Sequence, residues 1–162
     1  MMDPASTSQL PATGILAGLS AEELARFASL GEFLKVSPGE VIIREGKDQN
    51  WLYVIIEGRL NVTKENLKEP LAEIGPGESI GEVNLFDPGV ASATVFAPVP
   101  GEIWRVNREG LNQFLNSGGP EVPLLVGLLT EVSQRIRATN QRLQDAQIQK
   151  TDKVRNYEGW IG

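Results

Sequence analysis

The chain has 162 residues, of which 41% are hydrophobic, enough for one domain with a packed core and tight for two. A formal net charge of −6 argues against nucleic-acid binding by this chain alone, because phosphate contacts need clustered Lys and Arg. With no cysteine and no histidine, disulfides, thiolate nucleophiles, Cys- or His-based metal centres and the commonest general base are excluded, so the chain reads as a non-enzyme with no catalytic residue and no metal site.

Residues 1–14 are polar, rich in Ser, Thr and Pro, and unlike a secretory signal, so they read as a flexible arm. No apolar stretch approaches the ~20 residues that span a bilayer, and a cytoplasmic chain without membrane contact is expected. Ser20 and Glu23 have capping-box spacing, with Leu19 and Leu24 at the staple positions, and predict a short helix with Leu24, Phe27 and Ala28 inward and Gly31 as its stop. Strand-like runs follow at Phe33–Val36, Val41–Arg44, Trp51–Ile56, Leu60–Thr63, Leu71–Ile74, Ala91–Ala97 and Ile103–Val106. Nearly every gap holds Gly or Pro, which supply the backbone angles of tight turns. The fold class is therefore mainly β with flanking helices: an antiparallel β-roll or jelly roll over about 33–106, with an N-terminal helix and a long C-terminal helix.

Asn107 is placed to cap a brief helix carrying Leu111, Phe114 and Leu115, which Ser117-Gly118-Gly119-Pro120 interrupts. A long helix over about 120–150 follows. Its seam of Val122, Leu125, Leu129, Val132, Ile136, Thr139, Leu143 and Ala146 alternates spacings of three and four, and fits either a helix laid on its own roll or one paired with a second subunit. The pairing reading makes Leu125, Leu129, Val132, Ile136 and Leu143 a homodimer seam. Residues 151–162, with Tyr157 and Trp160, read as a tail, which leaves 15–150 as the domain.

The segment from Gly75 to Val95 carries the chemistry. Gly81 lets backbone approach a ligand, and Glu82 offers an acceptor for a hydroxyl such as a ribose 2′-OH. The amides of Val83 and Asn84, at the start of a helical turn, suit an anion. Glu78 and Glu82 do not define a catalytic carboxylate pair, because the turn between them leaves their geometry open.

In order and spacing, Val41-Ile42-Ile43 followed by Glu45-Gly46, then Leu52-Tyr53-Val54-Ile55-Ile56-Glu57-Gly58-Arg59-Leu60, then Ile74-Gly75-Pro76-Gly77-Glu78-Ser79-Ile80-Gly81-Glu82, resemble the cyclic-nucleotide-binding domain. That domain is shared by catabolite-activator-type regulators, cyclic-nucleotide-dependent kinases and gated channels. The resemblance implies that the last stretch enters a phosphate-binding cassette whose arginine position is held here by Ala91, followed by Ser92. It also implies that Thr139 and Asn140 are placed to meet a base, and that the long helix dimerises. Serine donates one hydrogen bond but cannot neutralise a phosphodiester. The expectation is a stand-alone, non-catalytic sensor or adaptor with no cofactor. It should bind common cyclic nucleotides weakly or not at all, and act through dimerisation and an unidentified protein partner. The alternative is a fragment of a cAMP-responsive transcription regulator lacking its DNA-binding domain.

Overall fold

The computed structural model describes residues 8–82, 84 and 87–158, and the chain divides into two compact units, Met1–Leu128 and Leu129–Gly162. The first unit opens with a 3-10 turn (Gly14–Leu16) and α1 (Ala21–Ser29). The strands are β1 (Glu32–Val36), β2 (Val41–Ile43), β3 (Trp51–Glu57), β4 (Leu60–Thr63), β5 (Ala72–Ile74), β6 (Ser79–Ile80), β7 (Thr94–Phe96) and β8 (Gly101–Asn107). Helix α2 (Arg108–Leu115) and the beginning of α3 (Glu121–Glu158) complete it. The strands pair antiparallel in two four-stranded sheets, ordered β1-β8-β3-β6 and β2-β7-β4-β5.

The predicted capping box is present in both halves: the Glu23 amide donates to Ser20 Oγ at 3.1 Å and the Ser20 amide donates to Glu23 Oε1 at 2.9 Å. The backbone donor of Ser20 holds the Glu23 carboxyl below the usual carboxylate range. The cap aims Phe27 into the core, where its ring stacks on Phe114 of α2 at 4.2 Å and meets Trp104 of β8 edge-on at 4.8 Å. Trp104 Nε1 donates to the Ala28 carbonyl at 3.2 Å, so the buried indole leaves no orphan donor. Asn107 caps α2 as expected, accepting from the Gly110 amide at 2.8 Å.

β3 and β8 are buried on both faces. Leu52, Val54, Trp104 and Val106 face a helix-side core with Ile15, Leu16, Phe27, Leu111, Phe114, Leu124 and Leu128, while Tyr53, Ile55 and Ile103 face the second sheet with Leu60, Val95 and Ala97. One polar row crosses the inner face: Glu32 pairs with Arg105, Arg105 with Tyr53, and Tyr53 with Ile80. Both Arg105 contacts to Glu32 fall on Oε1, at 2.7 and 2.6 Å, and the guanidinium lies 4.1 Å from the Trp51 ring centroid. Burial pushes the Tyr53 phenol above its ordinary value, an effect partly offset by the hydrogen bond it accepts from Arg105.

Several sequence expectations are corrected. The arm is anchored from Ser8, whose Oγ donates to Glu102 Oε1 at 2.6 Å, because Leu10 is buried in the helix-side core. Gly31 does not end α1 with a left-handed turn; it sits where any Cβ would run into the Arg105 carbonyl and the Trp104 ring. The strand read as Ala91–Ala97 is regular only at Thr94–Phe96, since Ala91 pairs with a loop. The long helix runs past 150 to Glu158, so the tail is helical that far; the side chain of Tyr157 and all of Trp160 lie outside the described residues. Where α3 joins the first unit, Leu124 and Leu128 enter the core, with Gly127 pressed on the Ile15 carbonyl, while the seam residues Leu125 and Leu129 are exposed.

Two outcomes follow from this packing. Phe114→Ala removes the ring that ties α2 to α1 and should lower unfolding free energy by about 3–5 kcal/mol, read as a shifted urea midpoint. Because the fold favours the neutral Tyr53 phenol, the unfolded chain releases that proton first. The Tyr53 contribution is therefore complete below the unfolded value near 10 and is lost as pH rises through the raised folded value. Urea midpoints across the alkaline range should fall more steeply for the natural chain than for Tyr53→Phe.

Candidate functional site

The segment that sequence reading placed at the chemistry forms one end of the roll. It opens with a turn closed twice: the Glu78 amide donates to the Gly75 carbonyl and the Gly75 amide to Glu78 Oε2, both at 3.1 Å. Glu78 is thereby an exposed turn residue, whereas Glu82 is buried, at 4% exposure. Between them β6 docks on β3, Ile80 opposite Tyr53 and Ser79 opposite Val54.

Gly81 has φ +95°, and a Cβ there would run into the Trp51 carbonyl oxygen. The close approach this glycine permits is to the first residue of β3. Trp51 is further held by buried Gln49, whose side-chain amide donates to the Trp51 carbonyl and accepts from its N–H at 2.9 Å. Glu82 follows directly, so a buried carboxylate stands beside the edge of the indole-bearing strand.

Val83 lies outside the described residues. Asn84 serves the loop itself: its side-chain amide donates to the carbonyls of Gly89 at 3.2 Å and Val90 at 3.4 Å. Its own carbonyl accepts from Arg108, the first residue of α2, at 3.0 Å. Ala91 is 5% exposed, and both its backbone groups are engaged, its amide donating to the Lys47 carbonyl at 2.8 Å and its carbonyl accepting from the Gly46 amide at 2.9 Å. An isolated bridge between Asp48 and Val90 continues this pairing. Ser92 is exposed.

Gly81, Glu82, Asn84, Ala91 and Ser92 thus share the first unit. Thr139 and Asn140 belong to the second, a helical unit in which both are exposed. In that unit Leu129 (67%), Ile136 (56%) and Leu143 are exposed, and Val132 is half-buried. Among the described residues no three acidic side chains converge as a metal site requires, and no helix is long and apolar enough to cross a membrane.

Sequence reading missed the row of Glu32, Arg105 and Tyr53 with Trp51. The signal was present in the alternation of β8: Arg105 has the parity of inward Ile103, so a cation occupies an inward place. It also missed Arg108, whose partner lies 24 positions away and leaves no local pattern.

Comparison with known proteins bears on this arrangement. A CRP-like cAMP-activated global transcriptional regulator of Mycobacterium tuberculosis is 28% identical over 144 residues, which are 84% of this chain and 61% of that protein. The chain thus spans less than two thirds of that relative's length. The crystallised N-terminal domain of a transcriptional regulator from Streptomyces coelicolor is similar at 31% identity and a TM-score of 0.63, covering 83% of this chain and 94% of that one. The regulatory subunit of a cAMP-independent protein kinase A from Trypanosoma brucei is similar at 28% identity and a TM-score of 0.64, covering 77% and 43%. The sequence model of the cyclic nucleotide-binding domain matches residues 33–117, the span that includes both sheets, the cassette and α2. On that match, and on the roll and cassette just described, the chain belongs to the cyclic nucleotide-binding domain family.

Proposed function

We propose that this chain is a non-catalytic regulatory module of the cytoplasm that binds common cyclic nucleotides weakly or not at all. It works by pairing along α3 and by contacting a further protein. The observation that carries this reading is Ala91. It holds the cassette's arginine place with a methyl group, is buried, and has both backbone groups committed to the Gly46–Lys47 turn. Losing a charge-assisted partner to a phosphodiester weakens binding by about 2–5 kcal/mol, or roughly 30-fold to several-thousand-fold. The trypanosomal relative, described as cAMP-independent, supports a regulatory role for this fold apart from cAMP.

Pairing is supported by α3, whose Leu125, Leu129, Ile136 and Leu143 are exposed at heptad-like spacing. A second reading is that the chain is the sensing part of a longer transcription regulator, favoured by its 61% share of the mycobacterial relative. Selection on random duplexes separates the two: specific binding favours the regulator, and none favours the module.

Calorimetric titration with cAMP and cGMP to millimolar concentration should be silent for the natural chain and show saturable binding for Ala91→Arg. Tight binding by the natural chain, abolished by Glu82→Ala, overturns the proposal. In sedimentation the natural chain should run as a dimer and Ile136→Asp as a monomer, and an unchanged mass refutes pairing along this seam.

A further inference from the structure

Arg105 occupies a place where packing favours an apolar residue: the inner face of the first sheet, in line with buried Ile103 and against Tyr53. Its guanidinium keeps 30% side-chain exposure, lies over the Trp51 ring at 4.1 Å, and is neutralised by Glu32, whose side chain is 50% exposed. Because both contacts fall on Oε1 alone, Glu32 does not grip the guanidinium as a two-oxygen fork does. Trp51 is the residue whose carbonyl crowds Gly81, and Glu82 comes next. A cation, an aromatic face and a buried hydroxyl acceptor are therefore brought to one edge of β3, while the cassette's own arginine place holds Ala91.

We propose that Arg105, and not a cassette residue, is the group that meets the negative charge of this chain's ligand, with Trp51 as the face for an aromatic ring and Glu32 as the counter-ion displaced. This rests on the reading of the roll as a ligand-regulated module. The ligand class is a small nucleotide whose phosphate lies toward the sheet. A terminal monophosphate suits the site better than a cyclic diester, since it carries more charge and presents two oxygens to a planar guanidinium fork. Its free ribose hydroxyls match the acceptor at Glu82.

The test is calorimetric titration of the full chain with 5′-AMP at low salt, comparing the natural protein with Glu32→Gln and with Glu32→Gln/Arg105→Met. Circular dichroism melts confirm folding. Glu32→Gln removes the competing carboxylate and should tighten binding about tenfold or more, and adding Arg105→Met should then weaken it by at least about 30-fold. Arg105→Lys in the same background keeps the charge without the fork and should bind at an intermediate level. If Glu32→Gln binds 5′-AMP no tighter than the natural chain, the pair is a strut between β1 and β8 and the proposal falls; if the double variant does not fold, this comparison decides alone. Equal binding by a folded double variant also overturns it. An Ala91→Arg arm with cAMP separates the two readings. Gain there without gain in Glu32→Gln leaves the module standing and removes Arg105 from it, and gain in neither removes both.

Discussion

The structure depends on one constraint: β3 and β8 are neighbours buried on both faces, so a single antiparallel ladder serves as the floor of two cores. On one side the ladder carries the aromatic knot of Phe27, Phe114 and Trp104, and on the other Tyr53, Ile55 and Ile103 meet the second sheet. A strand in this position has no solvent face on which to place polar residues. Its polar positions must therefore find partners within the sheet, as Arg105 does in Glu32 and Tyr53. The same crowding explains Gly31 and Gly81, each set where a side chain would strike β8 or β3.

Much of this was legible in the sequence because local rules and burial agreed. The capping box at Ser20, the cap at Asn107 and the apolar runs separated by Gly and Pro each specify an element without reference to the rest of the chain. The face of α3 that meets the roll was not legible. The helix begins with apolar residues on more than one face, and periodicity finds a seam through Leu125 and Leu129 as readily as one through Leu124 and Leu128. Only the neighbours, Ile15 and Leu16 behind Leu124 and Leu128, decide between them.

At the candidate site the limit is similar. Spacing located the segment and the missing arginine, but the partners of Ala91 lie in the Gly46–Lys47 turn and the partner of Asn84 is the first residue of α2. Those bonds join stretches far apart in sequence and leave no local signature. They give the cassette a structural role that does not depend on a nucleotide, since the loop after Glu82 is held by Asn84 and the loop's return by Ala91. A family site can persist as a folding element in this way after its charged contact has gone.

The two indoles of the ladder lie on its opposite faces. Trp104 is sealed in the helix-side core with its N–H bound to Ala28, whereas Trp51 is half-buried on the inner face under a guanidinium. Their optical environments differ accordingly. A dry, apolar setting places Trp104 emission toward the blue, and Trp51, with partial solvent access and a cation over its ring, emits farther to the red. The molecule therefore carries a separate spectroscopic reporter for each side of one sheet, so loosening of the helix layer and events inside the roll perturb different tryptophans.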